Sequence, residues 1–269
     1  MKLLPLLLLA CAGSPEDSAG GDADADTDTD ADTDADTDVD DTGTYTDTDP
    51  SDATVTGGVV LYDGTAPPGM DVQLCETVCF SGVTLDGGGI LFEELDEGSY
   101  KLDVLGEAFG SGDYGHSRVH VELAMSEQHV LPAPVFVPQV VGPETIASSG
   151  TYEIGAVTWT VDPAQIELPF GADEGQFWVG VVAGEDIPAG MYPVTASLAV
   201  AFLPFGAEPL AAFDLTVDAA LPAGTYDLYD VDDHGNLEAA GTATSDGAVV
   251  TATEIAPRFL TWLLFVPQG

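Results

Sequence analysis

Basic residues are nearly missing from this chain. Its 269 residues contain four Lys and Arg against forty-seven Asp and Glu, which gives a formal net charge of −43 at pH 7. A surface of this charge repels phosphate backbones and anionic lipid headgroups, so nucleic-acid binding is excluded as a function class. Self-repulsion also destabilises the folded state unless salt or divalent cations screen it. The composition therefore favours a saline or calcium-containing exterior.

Long apolar runs are missing as well. The run at residues 3–11, Leu-Leu-Pro-Leu-Leu-Leu-Leu-Ala-Cys, is shorter than the about 20 apolar residues of a membrane-spanning helix. Lys2 precedes this run and Leu-Leu-Ala-Cys11 ends it, which resembles a bacterial lipoprotein signal. The resemblance implies that residues 1–10 are a signal peptide that is removed, that Cys11 carries the lipid, and that Ala12 favours the outer membrane. A plain secretory signal is the alternative.

Cysteine is scarce too, with three in the chain. If Cys11 is lipidated, Cys75 and Cys79 remain as one pair, and an oxidising compartment joins such pairs in a disulfide. A straight strand would hold their Cα atoms about 13 Å apart, beyond the roughly 7 Å limit for a disulfide. The bond therefore requires a tight turn over residues 76–78. Redox activity is disfavoured, because the spacing is not Cys-x-x-Cys.

Aspartate dominates the segment after the first cysteine. Residues 22–49 alternate Asp with Ala and Thr and contain thirteen aspartates without a Lys or Arg. Like charges at every second position repel one another and leave nothing to form a core. We therefore predict that residues 11–52 are a disordered acidic tether with the lipid on Cys11. Specific calcium loops are disfavoured there, because residues 22–40 lack the Gly and Glu that an EF-hand loop needs.

Beyond residue 53, short runs rich in Val, Thr, Tyr and Phe alternate with Gly, Pro and Asp turns, which is typical of antiparallel sandwiches. Strands are predicted at residues 54–62, 72–74, 100–104, 157–161, 176–182, 210–217 and 259–266. Pro132, Pro134 and Pro138 mark a boundary, since closely spaced prolines interrupt sheet pairing. The sequence thus predicts an all-β protein with two antiparallel β-sandwich domains, residues 53–138 and 139–269, after the signal peptide and the tether.

Several short motifs follow one another in the first predicted domain. They are Gly-Val-Val at 58–60, Asp-Gly-Thr at 63–65, Pro-Gly-Met-Asp-Val-Gln-Leu at 68–74, Thr-Leu-Asp-Gly at 84–87, Phe92, and Leu-Asp-Glu-Gly-Ser-Tyr-Lys-Leu at 95–102. Their order resembles the carboxypeptidase regulatory-like domain, a transthyretin-like β-sandwich. The three glycines at 87–89 depart from that family's pattern. Residues 139–269 are a second β-sandwich without a family assignment.

An apolar residue, a turn, Gly and then Tyr recur around Tyr100, Tyr192 and Tyr226. The uneven intervals exclude a solenoid, so the unit predicts one local turn that is reused, with each Tyr opening a strand. Trp159, Trp178 and Trp262 lie among alternating apolar neighbours. We expect all three in the core rather than stacked on sugar rings.

The candidate metal ligands are Asp230, Asp232 and His234, in the turn Asp-Val-Asp-Asp-His-Gly-Asn at 230–236. The alternative is a hairpin loop that uses these residues for turn geometry, because Gly241 stands where an EF-hand loop has Glu. His116 and His120 project to one side of a strand, and two ligands do not complete a metal site. Exposed strand histidines are therefore expected.

These observations favour a non-enzymatic, lipid-anchored, extracytoplasmic protein of the outer membrane or cell surface. Its sandwiches would present a binding or structural surface to a surface protein or a glycan, and its contact with the membrane would run through the lipid anchor. No cofactor is expected apart from the candidate calcium ion. The alternatives are a calcium- or carbohydrate-dependent adhesion module and a hydrolase with an unrecognised site. A hydrolytic triad of Asp113, His116 and Ser117 is disfavoured, because these residues lack a nucleophile elbow.

Overall fold

Side chains alternate between buried and exposed along most strands, as expected for sheets with one face toward a core. The computed structural model of the protein describes residues 52–109, 113–173 and 175–269. The predicted signal peptide, Cys11 and the tether up to residue 51 lie outside the described residues. Among those that are described, no helix has the length and apolar character needed to cross a bilayer.

The N-terminal sandwich, residues 52–138, contains eight strands in its described part. They are β1 (Ala53–Leu61), β2 (Asp71–Cys75), β3 (Cys79–Val83), β4 (Gly89–Leu95), β5 (Gly98–Leu105), β6 (His116–Leu123), β7 (Gln128–Val130) and β8 (Val135–Val137). Single 3₁₀ turns occupy Asp86–Gly88 and Gly106–Ala108.

The C-terminal sandwich, residues 139–269, contains twelve strands in its described part. They are β9 (Val141–Thr145), β10 (Gly150–Ile154), β11 (Val157–Val161), β12 (Ile166–Glu167), β13 (Gln176–Ala183), β14 (Leu198–Leu203), β15 (Glu208–Pro209), β16 (Phe213–Asp218), β17 (Gly224–Val231), β18 (Leu237–Ser245), β19 (Val249–Ile255) and β20 (Trp262–Pro267). Single 3₁₀ turns occupy Pro163–Gln165 and Gly184–Asp186.

The N-terminal sandwich consists of two sheets around one core. One sheet has the antiparallel order β3-β2-β5-β6. In the other, β1 pairs antiparallel with β4 and parallel with β7 and β8. The parallel pairs arise because the chain crosses from β6 in one sheet to β7 and β8 beside β1 in the other. Val55 and Val59 of β1 share the core with Leu74 of β2 and Leu102 of β5.

A disulfide closes the hairpin between β2 and β3. Cys75 and Cys79 are paired residues of the two strands, and their Cα atoms lie 4.1 Å apart. The turn over residues 76–78 provides the close approach that the bond requires. Closing so short a loop contributes about 2 kcal/mol through the entropy of the unfolded chain. The disulfide is therefore a local clip on β3, which lies at the edge of its sheet.

Ten strands of the C-terminal sandwich form one antiparallel sheet in the order β10-β11-β16-β19-β18-β17-β20-β14-β13-β9. Its two end strands are consecutive in the chain, since β9 ends at Thr145 and β10 begins at Gly150. Five residue steps span at most about 18 Å, so the sheet must curl until its ends approach each other. The curled sheet encloses a core centred on Trp159, whose ring lies 5.2 Å from that of Phe177 and 5.6 Å from that of Phe213.

Two neighbouring strands of this sheet, β14 and β20, are buried on both faces. β14 has the sequence Leu-Ala-Val-Ala-Phe-Leu, and all six residues are buried. Such continuous apolar runs are typical of strands covered on both sides. Val200 of β14 points into the core with Trp159, whereas Ala201 points toward the N-terminal sandwich. On β20, Leu263 points inward and Trp262 toward the N-terminal sandwich.

The two sandwiches consequently share one hydrophobic cluster. Trp262 packs among the side chains of the N-terminal sandwich, where its ring lies 6.2 Å from that of Phe136. Its Nε1 donates a hydrogen bond of 2.9 Å to the carbonyl of His116. All described residues belong to one compact unit. The division into domains 53–138 and 139–269 follows the grouping of strands into sheets, and their independence stays a prediction.

The three copies of the recurrent Tyr-containing turn adopt two different structures. Tyr100 and Tyr226 lie near the starts of β5 and β17, and each hydroxyl donates to the carbonyl four residues earlier, at 3.1 and 2.8 Å. Tyr192 opens no strand in this part of the chain. It is buried between the sandwiches and its hydroxyl donates to the carbonyl of Arg118 at 3.3 Å. The prediction of a strand at Tyr192 is therefore wrong, because the ring is used to join the two sandwiches.

Candidate functional site

A cleft of about 480 Å³ opens where the two sandwiches meet. The N-terminal sandwich contributes two ionisable residues and the C-terminal sandwich contributes aromatic and polar side chains. The side chains that matter for the argument are Glu107, His116, Phe170, Asp173, Gln176, Trp178 and Phe205. Aromatic surface combined with a few polar groups is the usual composition of a small-molecule site.

Two copies of one pentapeptide form much of the cleft wall. Leu-Pro-Phe-Gly-Ala occurs at residues 168–172 and again at 203–207. The glycine of each copy, Gly171 and Gly206, has a positive φ, at 86° and 82°. That backbone conformation is available to glycine at little cost, so each copy turns sharply after its phenylalanine. The sequence analysis missed this repeat, although it can be read directly from the chain.

The two-stranded sheet of β12 and β15 brings these turns together. β12 ends directly before the first copy, β15 begins directly after the second, and Glu167 pairs antiparallel with Glu208. The pairing ends at Glu167 and Glu208, and Phe170 and Phe205 lie in the two turns beyond it. Both line the cleft. Phe170 is fully exposed and Phe205 is half-buried. The Phe170 ring is therefore accessible to a ligand in the cavity.

Trp178 forms a third aromatic wall. Its neighbours Phe177 and Val179 on β13 point into the core, so strand alternation turns Trp178 to the other face, where it is half-buried in the cleft. A Cβ atom at Gly142 would lie 2.8 Å from the indole ring, so only glycine lets the ring lie against this backbone. The prediction that all three tryptophans are core residues is confirmed for Trp159 and Trp262 and wrong for Trp178.

His116 forms the floor of the cleft next to Phe205. The two rings stack with centroids 3.8 Å apart and an angle of 8° between their planes. The guanidinium of Arg118 also lies over the Phe205 ring, 5.0 Å from its centroid. Stacked cations of this kind stabilise an aromatic ring in one orientation. The expectation of exposed strand histidines is wrong for His116, which is buried because Phe205 and the charged neighbours of β5 cover it.

Three charged groups lie around the buried imidazole. His116 Nε2 lies 3.2 Å from Asp103 Oδ1, and Nδ1 lies 3.2 Å from Glu107 Oε1. Arg118 donates to both carboxylate oxygens of Asp103, at 2.6 and 3.0 Å. An ionised carboxylate only accepts hydrogen bonds, so both ring nitrogens can donate to their partners only when both carry a proton. The geometry therefore favours the imidazolium form.

The pKa values agree with that protonation state. Burial alone would lower the pKa of His116, but its hydrogen bonds to the carboxylates of Asp103 and Glu107 outweigh burial and raise the pKa above 6.5. Burial alone would raise the pKa of Asp103, but His116 and Arg118 hold it well below its usual range. The pKa of Glu107 is lowered by the same imidazole. Two positive and two negative charges thus balance at the floor of the cleft.

This arrangement gives His116 a positioning role. A general base needs a free nitrogen within reach of a substrate proton, and both nitrogens of His116 are engaged. The hydroxyl of Ser117 donates to the carbonyl of Phe136 at 2.6 Å and takes no part in a triad with His116. The second histidine, His120, is half-buried and contacts the carbonyl of His234 at 3.2 Å. His116 and His120 therefore contact different partners.

Of the three predicted metal ligands, Asp232 and His234 lie together in the structure and Asp230 does not belong to their group. Asp232, Asp233 and His234 place ligand atoms within 4.8 Å of one another. Asp232 Oδ1 already accepts from the backbone N–H groups of His234 and Asn236, at 2.8 and 2.7 Å. These bonds are those of a hairpin loop that uses Asp for turn geometry. A calcium site in this turn stays a prediction.

Asp230 points away from that group. Its Oδ2 accepts from the backbone N–H groups of Arg258 and Phe259 at 2.8 and 3.0 Å, and its Oδ1 is buried without a hydrogen-bond partner in the described part of the chain. Burial raises the pKa of Asp230 more than the two hydrogen bonds lower it. Its role is to hold the connection between β19 and β20.

Comparisons with known proteins give no family. No protein-family model matches the chain, and no curated protein is similar to it. A solved structure of a candidate carbohydrate-binding protein from Bacteroides uniformis is 10% identical, with 81% of this chain and 99% of that one covered and a TM-score of 0.25. The major pilin SpaD of Corynebacterium diphtheriae is 11% identical, with 80% and 55% covered and a TM-score of 0.28. The TIE protein of Bacillus anthracis is 11% identical, with 81% and 48% covered and a TM-score of 0.28.

The chain thus spans nearly the whole of the first of these proteins and about half of the other two. Similarity at these scores establishes neither a shared detailed fold nor a shared function. The all-β sandwich architecture stands on the strands themselves, and the site stands on its own geometry.

Proposed function

We propose that this protein is a surface-displayed, non-catalytic binding protein whose cleft between the two sandwiches takes a saccharide. The observation that carries the proposal is the pair of Leu-Pro-Phe-Gly-Ala turns, which set Phe170 and Phe205 beside Trp178 around one cavity. Phe170 contributes no buried surface, so packing of the core does not account for its position.

The chemistry of the lining suits a sugar ring. A pyranose has apolar C–H faces that stack on aromatic rings and a rim of hydroxyl groups that need hydrogen-bond partners. Phe170 and Trp178 offer accessible aromatic faces, while Asp173 and Gln176 offer acceptors and donors at the same cavity. A purely apolar ligand would leave these polar groups desolvated, at a cost of about 1–3 kcal/mol each.

The non-catalytic part of the proposal rests on the histidine. His116 is the histidine of the cleft, and its two nitrogens are held by Asp103 and Glu107. Asp103 is bound by both His116 and Arg118, and Glu107 is paired with His116 through Oε1. We therefore assign the charged floor to the maintenance of the cleft rather than to proton transfer.

Display at the surface rests on the sequence. The lipoprotein resemblance at Cys11 would fix the protein to the outer membrane, and residues 12–52 would reach at most about 140 Å when fully stretched. Several acyl chains on one cysteine would make the attachment effectively permanent, since each buried methylene contributes about 0.8 kcal/mol. The cleft would then sample ligands outside the lipid headgroups.

A glycan array, run with and without calcium, tests the proposal. The Phe170→Ala variant should lose most of the binding, whereas Phe80→Ala, which removes an exposed phenylalanine from the sandwich edge, should retain it. Bound glycans should be recovered intact. Absence of binding to any glycan, or equal binding by the two variants, would refute the saccharide cleft, and cleavage of the glycan would refute the non-catalytic role.

A further inference from the structure

We infer that the saccharide taken by this cleft carries a protonated amine, as an amino sugar does, rather than being neutral or acidic. This inference rests on the proposed function and adds the charge class of the ligand. Three observations support the inference: the charges that line the cleft, the accessible faces of its aromatic rings, and the electrostatic field of the whole protein.

The uncompensated charge of the lining is negative. His116 is the cationic side chain in the described lining, and Arg118 lies just behind Phe205. Together these two cations are balanced by the two carboxylates of Asp103 and Glu107. Asp173 is exposed, and among the described residues no side chain pairs with its carboxylate. A cationic ligand would give that carboxylate a partner.

The carboxylate of Glu107 can also accept further hydrogen bonds. Glu107 uses Oε1 for His116, and its side chain is 41% exposed. An ionised carboxylate accepts roughly four hydrogen bonds, so Glu107 can contact a ligand without releasing the imidazole. The lining therefore offers two acidic groups, Glu107 and Asp173, on one cavity.

The aromatic walls favour the same class of ligand. The face of an aromatic ring attracts a cation within about 6 Å of its centroid, most strongly for tryptophan. Phe170 is fully exposed and Trp178 is half-buried, so both rings are accessible. An ammonium group attached to a sugar ring can lie against such a face while the ring's C–H surface stacks on another. Neutral sugars gain the stacking alone.

Long-range electrostatics disfavour anionic saccharides. With a formal net charge of −43, the protein repels uronic acids and phosphorylated sugars before contact. Clefts lined by one sign of charge concentrate the field and enrich ligands of opposite sign. A cationic saccharide is therefore favoured in encounter as well as in contact.

Calorimetric titration of the full-length chain tests this inference, with oligomers of glucosamine, N-acetylglucosamine and glucose of equal length as probes. A lysine oligomer serves as a fourth probe for a cationic peptide. The titrations are run in about 0.15 M salt, where charges further apart than about 8 Å are largely screened. We expect the glucosamine oligomer to bind at least fivefold more tightly than the other three.

Two matched variants locate the effect. Asp173→Asn removes the unpaired carboxylate of the cleft and should weaken glucosamine binding about two- to fivefold, as expected for a solvent-exposed ion pair, with little change for the neutral oligomers. Asp218→Asn removes an exposed carboxylate of β16 that does not line the cleft, and should leave all four affinities unchanged.

The outcomes separate this inference from the proposed function. Equal affinity for glucose and glucosamine oligomers, still lost in Phe170→Ala, would overturn the charge preference and leave the saccharide cleft intact. Equal weakening by Asp173→Asn and Asp218→Asn, or tighter binding of the lysine oligomer, would also overturn the inference, because general attraction to an acidic protein would then explain the data. Binding of none of the saccharides would overturn both.

Discussion

The imidazole of His116 lies face to face on the ring of Phe205, with 3.8 Å between the ring centroids. His116 begins β6 of the N-terminal sandwich, and Phe205 belongs to the second Leu-Pro-Phe-Gly-Ala turn of the C-terminal sandwich. A charged ring from one sandwich thus supports an aromatic wall supplied by the other. The groups that keep His116 charged and buried therefore also keep the cleft in shape.

Protonation of His116 should make stability depend on pH. The pKa of His116 is raised above 6.5, so its contribution is complete below pH 6.5 and is lost as the pH rises through the raised value. The pKa values of Asp103 and Glu107 are lowered from 3.8 and 4.5, so their contributions are present above those values and are lost as the pH falls through the lowered ones. The cluster should stabilise the fold most between about pH 4.5 and 6.5.

Urea unfolding across this pH range measures the effect. His116→Gln should destabilise the fold by about 1–3 kcal/mol near pH 6, because Asp103 keeps Arg118 as its charged partner while Glu107 loses its bond to the imidazolium, and the cost should shrink as the pH rises. The control His129→Gln changes a half-buried histidine paired with Glu127 and should have a small effect. A cost that does not vary with pH would contradict the charged imidazole.

The shared core predicts that neither sandwich is stable alone. Separation would expose Trp262 and the outward face of β14, which are buried against the N-terminal sandwich. We expect residues 53–138 and residues 139–269, expressed separately, to bind a hydrophobic dye, and the mixture of the two to lose that binding. Two monomeric, dye-free fragments with native circular dichroism would show instead that the domains are independent.

Asp230 should act through its acceptor oxygen rather than its charge. Asp230→Ala leaves the N–H groups of Arg258 and Phe259 without an acceptor, at a cost of about 1–3 kcal/mol each, whereas Asp230→Asn keeps one. The alanine variant should therefore be the less stable by at least about 1 kcal/mol. The raised pKa of Asp230 also means that wild type should gain stability relative to Asn as the pH falls toward 3.8. Equal stability of the two variants at neutral pH would refute this role.

Lipidation at Cys11 predicts a clear change in fractionation. Cys11→Ala should give unlipidated protein that is released from the membrane, while the double variant Cys75→Ala, Cys79→Ala should remain attached because it leaves the anchor unchanged. Membrane retention of Cys11→Ala, or an unprocessed amino terminus with a free thiol by mass spectrometry, would exclude the anchor.

Strand positions followed from the sequence where alternation alone decides them. The prediction of 157–161 coincides with β11, and 54–62 differs from β1 by one residue at each end. The prediction of 259–266 began too early, because the N–H of Phe259 donates to Asp230 and β20 starts only at Trp262. The prediction of 210–217 also began too early, because Glu208–Pro209 first pairs with β12.

The site could be predicted only in part. The repeated pentapeptide is visible in the chain, and alternation along β13 is sufficient to turn Trp178 away from the core. The charged floor is different, because it depends on the register that sets Asp103 opposite Arg118 across β5 and β6. Acidic residues are so common in this chain that no single carboxylate identifies itself as the partner of His116.

Acrylamide quenching of tryptophan fluorescence tests the saccharide cleft most directly. Trp159 and Trp262 are fully buried, so Trp178 is the tryptophan that the quencher can reach. Titration with the glucosamine oligomer should protect Trp178 and reduce the quenching constant to that of Trp178→Phe. Quenching that stays unchanged at saturating oligomer, with glycan bound, would place the ligand elsewhere and contradict the account.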